Sequence, residues 1–401
     1  MQWSSLVGIV FATSMLGLTC VALPMHLFDW LVALFCATAV VIQLLSTFLA
    51  AFRCSPLFSL SRPACDFTPP VTILRPLRGL DAYDKLTLRS GFTLDYPDYE
   101  LIFCCEDAND PALHLVRDLI AAHPEISARV LIGPDKTTAN PKLNNVIKGW
   151  EAASHDWVIL ADCNVLMPSD YIQRLLEGWR GDTGVLCSPP VGCMPKGIWA
   201  EVECAFLNTY QLRWQYAADS VGLGFAQGKT MLWRRSQLDQ AGGIRALGEE
   251  IAEDAAATKI VRRQGLRVRL VDRPFGQPLG HRSRAQVWNR QVRWARLRRA
   301  TFPTVFIPEL LSSSLLPILA GAYTADNAGL SPTYALLILM VLWFGSEAAL
   351  AKVSGWHLTP TSPVAWALRD LMLPVLWIAA WSGDSFSWRG NELHLTRTTE
   401  A

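Results

Sequence analysis

WVILADCN, Trp157 to Asn164, is an apolar run of strand length that stops abruptly on an acidic turn. Glu100 to Asp107, ELIFCCED, repeats the pattern about sixty residues earlier. Further apolar runs at Val71–Leu74, Ala128–Ile132 and Gly184–Ser188 read as strands, and Ala112–Ala122 and Leu143–Ala153 between them carry helical periodicity. Strands alternating with helices predict an α/β fold with a doubly wound, mostly parallel sheet. Ligands of such sheets bind beyond the carboxyl ends of the strands, where both acidic turns fall.

The flanks differ in character from this middle region. From Met1 to Phe28 there is no Asp, Glu, Lys or Arg, and after Asp29 the segment from Trp30 to Phe52 is again uncharged, long enough to cross a bilayer. Arg53 closes that segment on the side expected to be cytoplasmic. The first run reads equally as a second span, a signal-like segment, or an extension ahead of a start at Met25, with retention favoured because no cleavage site stands out. Toward the other end Leu310–Ala325 and Asn327–Ser346 are uncharged, whereas Pro363–Gly383 is interrupted by Arg369 and Asp370, leaving a span, an interfacial helix and a re-entrant segment all open. Ile198–Ala218, aromatic but carrying Glu201, Glu203 and Arg213, suits an interfacial or groove-lining helix.

A mean hydropathy of +0.22 and 16 tryptophans fit a membrane enzyme better than a soluble one. Net charge of +1 argues against nucleic acid as a partner. The ten cysteines include no Cys-x-x-Cys and no histidine pair at zinc spacing, so reduced thiols are expected. The expected organisation is membrane segments in 1–53, a catalytic domain over 68–280, an amphipathic interfacial helix over 281–302, a transmembrane region over 303–384 and a tail over 385–401.

Four clusters carry candidate chemistry. Asp107 follows a strand and can accept hydrogen bonds from a uracil or ribose, while Asp110, ahead of Pro111, reads as a helix cap. Asp162 and Asn164 emerge on one face of an extended segment and can offer two oxygens to a hard divalent cation, Mg2+ or Mn2+, bridging a diphosphate. Asp254 opens a helix and is the candidate general base, with its neighbour Glu253 assigned to structure. In the stretch from His281 to Arg299, seven arginines and no acid occur; Arg290 and Arg293 share a helical face suited to a diphosphate, Trp294 suits an acceptor channel, and Arg296, Arg298 and Arg299 read as membrane anchors. Lys142, at the start of a helix in NPKLNN, is placed to reach a uridine diphosphate.

The succession LRPLRGLD, LDYPDYE, EDANDPA, NPKLNN, ADCNV, GKTMLWRR, LDQAGG, IAEDAAATK, RQVRWARLR and SWRG, running from Val71 to Arg389, resembles the family 21 glycosyltransferases, the ceramide glucosyltransferases. The resemblance implies a GT-A fold, UDP-glucose as donor, a divalent cation, inversion at the anomeric carbon, and the primary hydroxyl of ceramide as acceptor. It assigns Asp107, Asp162 and Asp254 as the family's three aspartates and Arg290, Arg293 and Trp294 as its basic box. Asn164 stands where the family's pattern has a second carboxylate, which weakens the grip on a metal. Hopanoid-modifying N-acetylglucosaminyltransferases share these boxes and define an alternative donor and acceptor. A multi-span lipid transporter is the alternative of another class, disfavoured because the charges cluster in the soluble part and the first spans lack an acid or base. The enzyme is expected in a bacterial inner membrane with its catalytic domain cytoplasmic.

Overall fold

The computed structural model describes residues 26–56, 67–134 and 136–383, together with the backbone of 385–388 and 391–394. The uncharged run before His26, Cys20, Cys65 and Arg389 of the SWRG box lie outside these residues. Nine strands form two sheets in the catalytic region: β1 Val71–Leu77, β2 Tyr99–Cys105, β3 Ser127–Ile132, β4 Trp157–Ala161, β5 Thr183–Ser188, β6 Val191–Lys196, β7 Thr230–Arg234, β8 Arg267–Leu270 and β9 Gly276–His281. The main sheet has the order β3-β2-β1-β4-β7-β5-β8. All its pairings are parallel except those of β7, which runs antiparallel to β4 and β5.

Each run read from the sequence as a strand is one, and Ala112–Ala122 is a helix with those bounds. The helix predicted at Leu143–Ala153 spans Pro141–Ala152 because Asn140 caps it, its side chain accepting from Leu143 N at 3.0 Å, with Pro141 at the first helical position. Strands β1, β2 and β4 are buried almost throughout, as central strands covered on both faces must be. Two charged residues stand in these strands, Glu100 of β2 and Arg75 of β1. Fully buried, Arg75 donates to the carbonyls of Thr87, Asp162, Cys163 and Val165 at 2.8–3.2 Å, and so fixes the turn after β4 from beneath. The described cysteines are all unbridged, and all but Cys193 are buried.

Three helices are long and apolar enough to cross a membrane, Leu27–Cys54, Pro332–Val353 and Ser362–Trp381; Pro303–Ser312 and Leu315–Asn327, bent by 49°, make a fourth if counted as one span. The first helix among the described residues begins at Leu27, so Asp29 lies within it, buried and accepting from Tyr323 Oη at 2.9 Å and Asn327 Nδ2 at 3.2 Å. The uncharged stretch read at Asn327–Ser346 is shifted, and its helix carries Glu347 inward. Acids therefore do lie in these helices: Asp29, Glu347 and Asp370 are buried there, each with hydrogen-bond partners. Arg369 grips both oxygens of Glu347 at 2.9 Å, Asp370 at 2.8 Å and Thr209 Oγ1 at 2.8 Å, all within a closed interior.

Thr209 belongs to a π-helical segment, Phe206–Leu212, that interrupts the helical stretch Ile198–Ser220. The expected single helix is thus broken where it meets the membrane helices. Arg213 on its far side donates to Ser46 of the first helix at 2.7 Å. At the end of that first helix Arg53 pairs with Asp272 and with Asp219 at 3.0 Å and donates to Leu270 O at 2.8 Å, so the residue read as a flank charge ties the helix to the sheet.

Arg369→Leu would leave Glu347 and Asp370 buried without their cation. Breaking a buried pair from one side costs about 3–5 kcal/mol. Thermal inactivation in detergent is expected at a clearly lower temperature for this variant than for the wild type, with the exposed Arg180→Leu as an unaffected control; equal stability of all three would contradict the arrangement.

Candidate active site

The carboxyl edge of the main sheet gathers groups that lie far apart in sequence. Asp162 follows β4 directly. Its Oδ1 accepts from Lys142 Nζ at 2.7 Å and its Oδ2 from Lys229 Nζ at 2.8 Å. Lys229 also reaches Asn164 Oδ1 at 3.3 Å, which confirms that Asp162 and Asn164 face one way. Burial would raise the Asp162 pKa, but the two ammonium groups hold it well below the usual carboxylate range. Lys142 is likewise buried, and Asp162 and Glu253 together keep it charged and raise it above an ordinary lysine.

Glu253 is part of this cluster. Its Oε1 meets Lys142 Nζ at 2.7 Å and its Oε2 accepts from Asn140 Nδ2 at 2.7 Å, so the residue assigned to structure sits in the site itself. Asp254, next along, accepts from Gly228 N at 3.2 Å and from its own helix at Ala255 N, 2.9 Å. Burial, and then the neighbouring Glu253 carboxylate, push Asp254 up to about 6. Gly228 is the hinge between the two acids: its N–H faces Asp254, its carbonyl accepts from Lys142 Nζ at 2.5 Å, and a Cβ there would lie 2.7 Å from Glu253 Oε1.

The other expected residues lie on the loop after β2 and on the helix Arg284–Thr301. Asp107 stands in the exposed loop after β2, where its Oδ1 accepts from Asn109 N at 2.9 Å; β2 adjoins β1, which adjoins β4, so Asp107 shares the carboxyl edge with Asp162. Asp110 accepts from Ala112 N and from Gly79 N, both at 2.8 Å, and so holds the helix start to the loop after β1. The basic box lies on the helix Arg284–Thr301. Arg290 pairs with the fully buried Glu203, which also has Arg282 at 3.8 Å. Trp294 packs against Cys204, Leu207 and Leu279. Among the residues read as anchors, Arg298 pairs with Glu309 at 3.0 Å and Arg299 lies over the Trp381 ring at 5.3 Å.

Gly228 and Lys229 stood in a box of the sequence without an assigned role, and the ion pairs of Glu203 and Glu253 were not anticipated. The signal for the first two was present in Gly228-Lys229-Thr230 ahead of an apolar run, the start of the antiparallel strand β7 that enters the sheet beside β4.

Asp162 and Asn164 bring one carboxylate and one amide oxygen to the same side, and among the described residues no group of three His, Cys, Asp or Glu could hold a metal ion; a divalent cation carried in with a diphosphate takes one or two carboxylates from the protein and the rest of its shell from phosphate and water. Each carboxylate oxygen has two lone pairs, so the lysine contacts do not exhaust Asp162.

A mostly parallel sheet with a charged carboxyl edge, flanked by membrane helices, is the layout of a membrane-bound GT-A transferase. The sequence profile described as Glycosyl transferase family 21 matches residues 31–401, and the chain belongs to that family. It is a hexosyltransferase. Curated relatives include ceramide glucosyltransferase 1 of Caenorhabditis elegans, 27% identical over 82% of this chain and 72% of that one, and the ceramide glucosyltransferase of Komagataella phaffii, 26% identical over 81% and 82%. The solved mannosyltransferase PcManGT of Pyrobaculum calidifontis, in complex with GDP-Man and Mn2+, is 14% identical with a TM-score of 0.49, over 88% of this chain and 98% of that one.

Gly228→Ala would force Glu253 away from Lys142. The Glu253 carboxylate, the far end of a flexible side chain, can turn aside, so the membrane extract is expected to yield the same amount of folded protein while sugar transfer falls by roughly tenfold, about 1.4 kcal/mol in barrier. Unchanged turnover would show that the Lys142–Glu253 contact is dispensable.

Proposed function

We propose that the chain transfers glucose from UDP-glucose to the primary hydroxyl of ceramide with inversion, giving β-glucosylceramide. The observation that carries this reading is the convergence of Asp162, Lys142, Lys229, Glu253 and Asp254 at one sheet edge. The names of the relatives support the donor and acceptor.

In this reading Asp107 receives the uridine, and Lys142, Lys229 and Arg293 face the diphosphate. Asp162 and Asn164 would hold a divalent cation, Mg2+ or Mn2+, which when bound neutralises charge on the leaving UDP. Arg290, already paired with Glu203, fixes the register of the basic helix and so aims Arg293 and Trp294. Asp254 takes the proton of the lipid hydroxyl as its oxygen attacks the anomeric carbon. A carboxylate raised toward neutrality is a better base than an ordinary one and is still ionised at pH 7. The arginine-rich helix and Arg53 at the end of the first membrane helix support a cytoplasmic catalytic face, in a bacterial inner membrane.

Asp254→Asn is expected to lower transfer by about 10²–10⁴-fold, the usual contribution of a positioned base, and to leave UDP-glucose binding intact by calorimetry. Since Asp254 is raised to about 6, the wild-type kcat/KM should fall as pH drops through 6 and level off above it; an unshifted carboxylate would sustain activity to about pH 4. Loss of donor binding in the variant, or a profile flat to pH 4.5, would reassign the base.

Arg293→Lys keeps the charge but not the planar two-pronged donor. The barrier is expected to rise by roughly 1.5–3 kcal/mol, the range for hydrogen bonds to charged groups, whereas Arg298→Lys on the same helix should retain transfer. Full activity in both variants would reduce the basic helix to a membrane anchor.

A further inference from the structure

Asp162 and Asn164 turn their oxygens to one side of the turn after β4, and a single side chain answers both. Lys229 Nζ lies 2.8 Å from Asp162 Oδ2 and 3.3 Å from Asn164 Oδ1. A cation such as Mg2+ bonds to oxygen at about 2.0–2.1 Å, so one that shared Asp162 Oδ2 would stand within about 5 Å of that ammonium. On Oδ1 it would meet Lys142 instead. Asp162 keeps lone pairs for a further partner, but like charges that close repel strongly in a largely buried site. A cation can settle on the pair only when one ammonium withdraws.

The two lysines are not equally fixed. Lys142 Nζ is held by Asp162, by Glu253 and by the Gly228 carbonyl, and its departure would leave two acids facing each other. Among the described residues Lys229 Nζ has only Asp162 and Asn164. The Lys229 backbone is pinned separately, its carbonyl accepting from Asp162 N at 3.0 Å. The flexible four-carbon stem can therefore swing while the main chain stays beside β4. A largely buried ammonium that gives up one anion needs another, because an unpaired buried charge is costly. The diphosphate of the donor is the anion brought to this edge.

We propose that the Lys229 ammonium and a divalent cation exclude one another at the Asp162–Asn164 pair, so that the chain admits the cation only together with a diphosphate that draws the ammonium away. The inference rests on the donor and cation reading above and adds the residue that couples the two. Coupling of binding is reciprocal, so the diphosphate strengthens the hold on the cation by the factor with which the cation strengthens the hold on the diphosphate.

Binding is measured apart from transfer on the purified full chain in detergent, Mn2+ by its electron paramagnetic resonance signal and UDP by calorimetry. With Lys229→Met, Mn2+ alone is expected to bind about tenfold more tightly than with the wild type, and UDP alone, in chelator, about tenfold more weakly. A site that is merely damaged would lose both. Lys229→Arg keeps the charge and should hold Mn2+ alone as weakly as the wild type. Lys352→Met, at the exposed end of the helix Pro332–Val353, should change neither ligand. Mn2+ alone no tighter in Lys229→Met, UDP alone no weaker in it, or Mn2+ as tight in Lys229→Arg as in Lys229→Met would overturn the exclusion. If the wild type and Lys229→Met both take up Mn2+ with UDP and hold Mn2+ alone equally, the exclusion falls and the cation reading of Asp162 and Asn164 stands. If neither takes up Mn2+ even with UDP, the cation reading falls and the exclusion with it.

Discussion

One buried ammonium joins the catalytic parts of this protein. Lys142 Nζ lies 2.7 Å from both Asp162 and Glu253 and 2.5 Å from the carbonyl of Gly228, so the turn after β4, the helix of Asp254 and the approach to β7 share a single cation. Two carboxylates at that spacing would repel strongly in a medium of low dielectric, and the lysine converts the repulsion into a fixed arrangement. Asp254 stands just outside the neutralised pair. Its raised pKa follows from burial and from that neighbouring acid.

The same principle operates in the membrane half. Arg369 answers Glu347 and Asp370 in one step and reaches Thr209 of the π-helical segment, and Arg213 reaches Ser46 of the first membrane helix. A π-helical turn displaces side chains from their α-helical register and is often found at functional sites. Here it presents Thr209 to the ion pair. Arg53 adds a tie from the first helix to the loop after β8. The sheet is therefore tied to the Leu27–Cys54 helix by the Arg53–Asp272 pair, while the Arg369 cluster and the Arg213–Ser46 hydrogen bond join the membrane helices to the helical stretch Ile198–Ser220.

Strands β1 to β5 were legible because they are continuous apolar runs, and the acidic turns because they end such runs; the parallel strands β6, β8 and β9, short or interrupted by polar residues, were not read. What escaped was whatever depended on distant partners. Arg75 looks like an interruption of an apolar strand until the turn at Asp162 is laid over it. Glu253 and Asp254 are indistinguishable by position in the sequence, and only Lys142 and Gly228, more than twenty residues away on either count, separate their environments. β7 was missed because a five-residue antiparallel strand between two parallel neighbours has no periodic signature of its own. Glu347 fell one residue past an uncharged stretch, so its place within a membrane helix was hidden by the boundary.

The central claim is that a lipid-linked hexose is formed at the edge of β4 with Asp254 as base. Purified wild-type protein and Asp254→Asn, incubated in parallel with UDP-glucose, Mg2+ and short-chain ceramide, provide the direct comparison by mass spectrometry of the lipid fraction. A ceramide carrying one hexose in β linkage, formed by the wild type and absent with the variant, is the predicted result. No hexosylated ceramide with the wild type, or the same amount with both proteins, would contradict it.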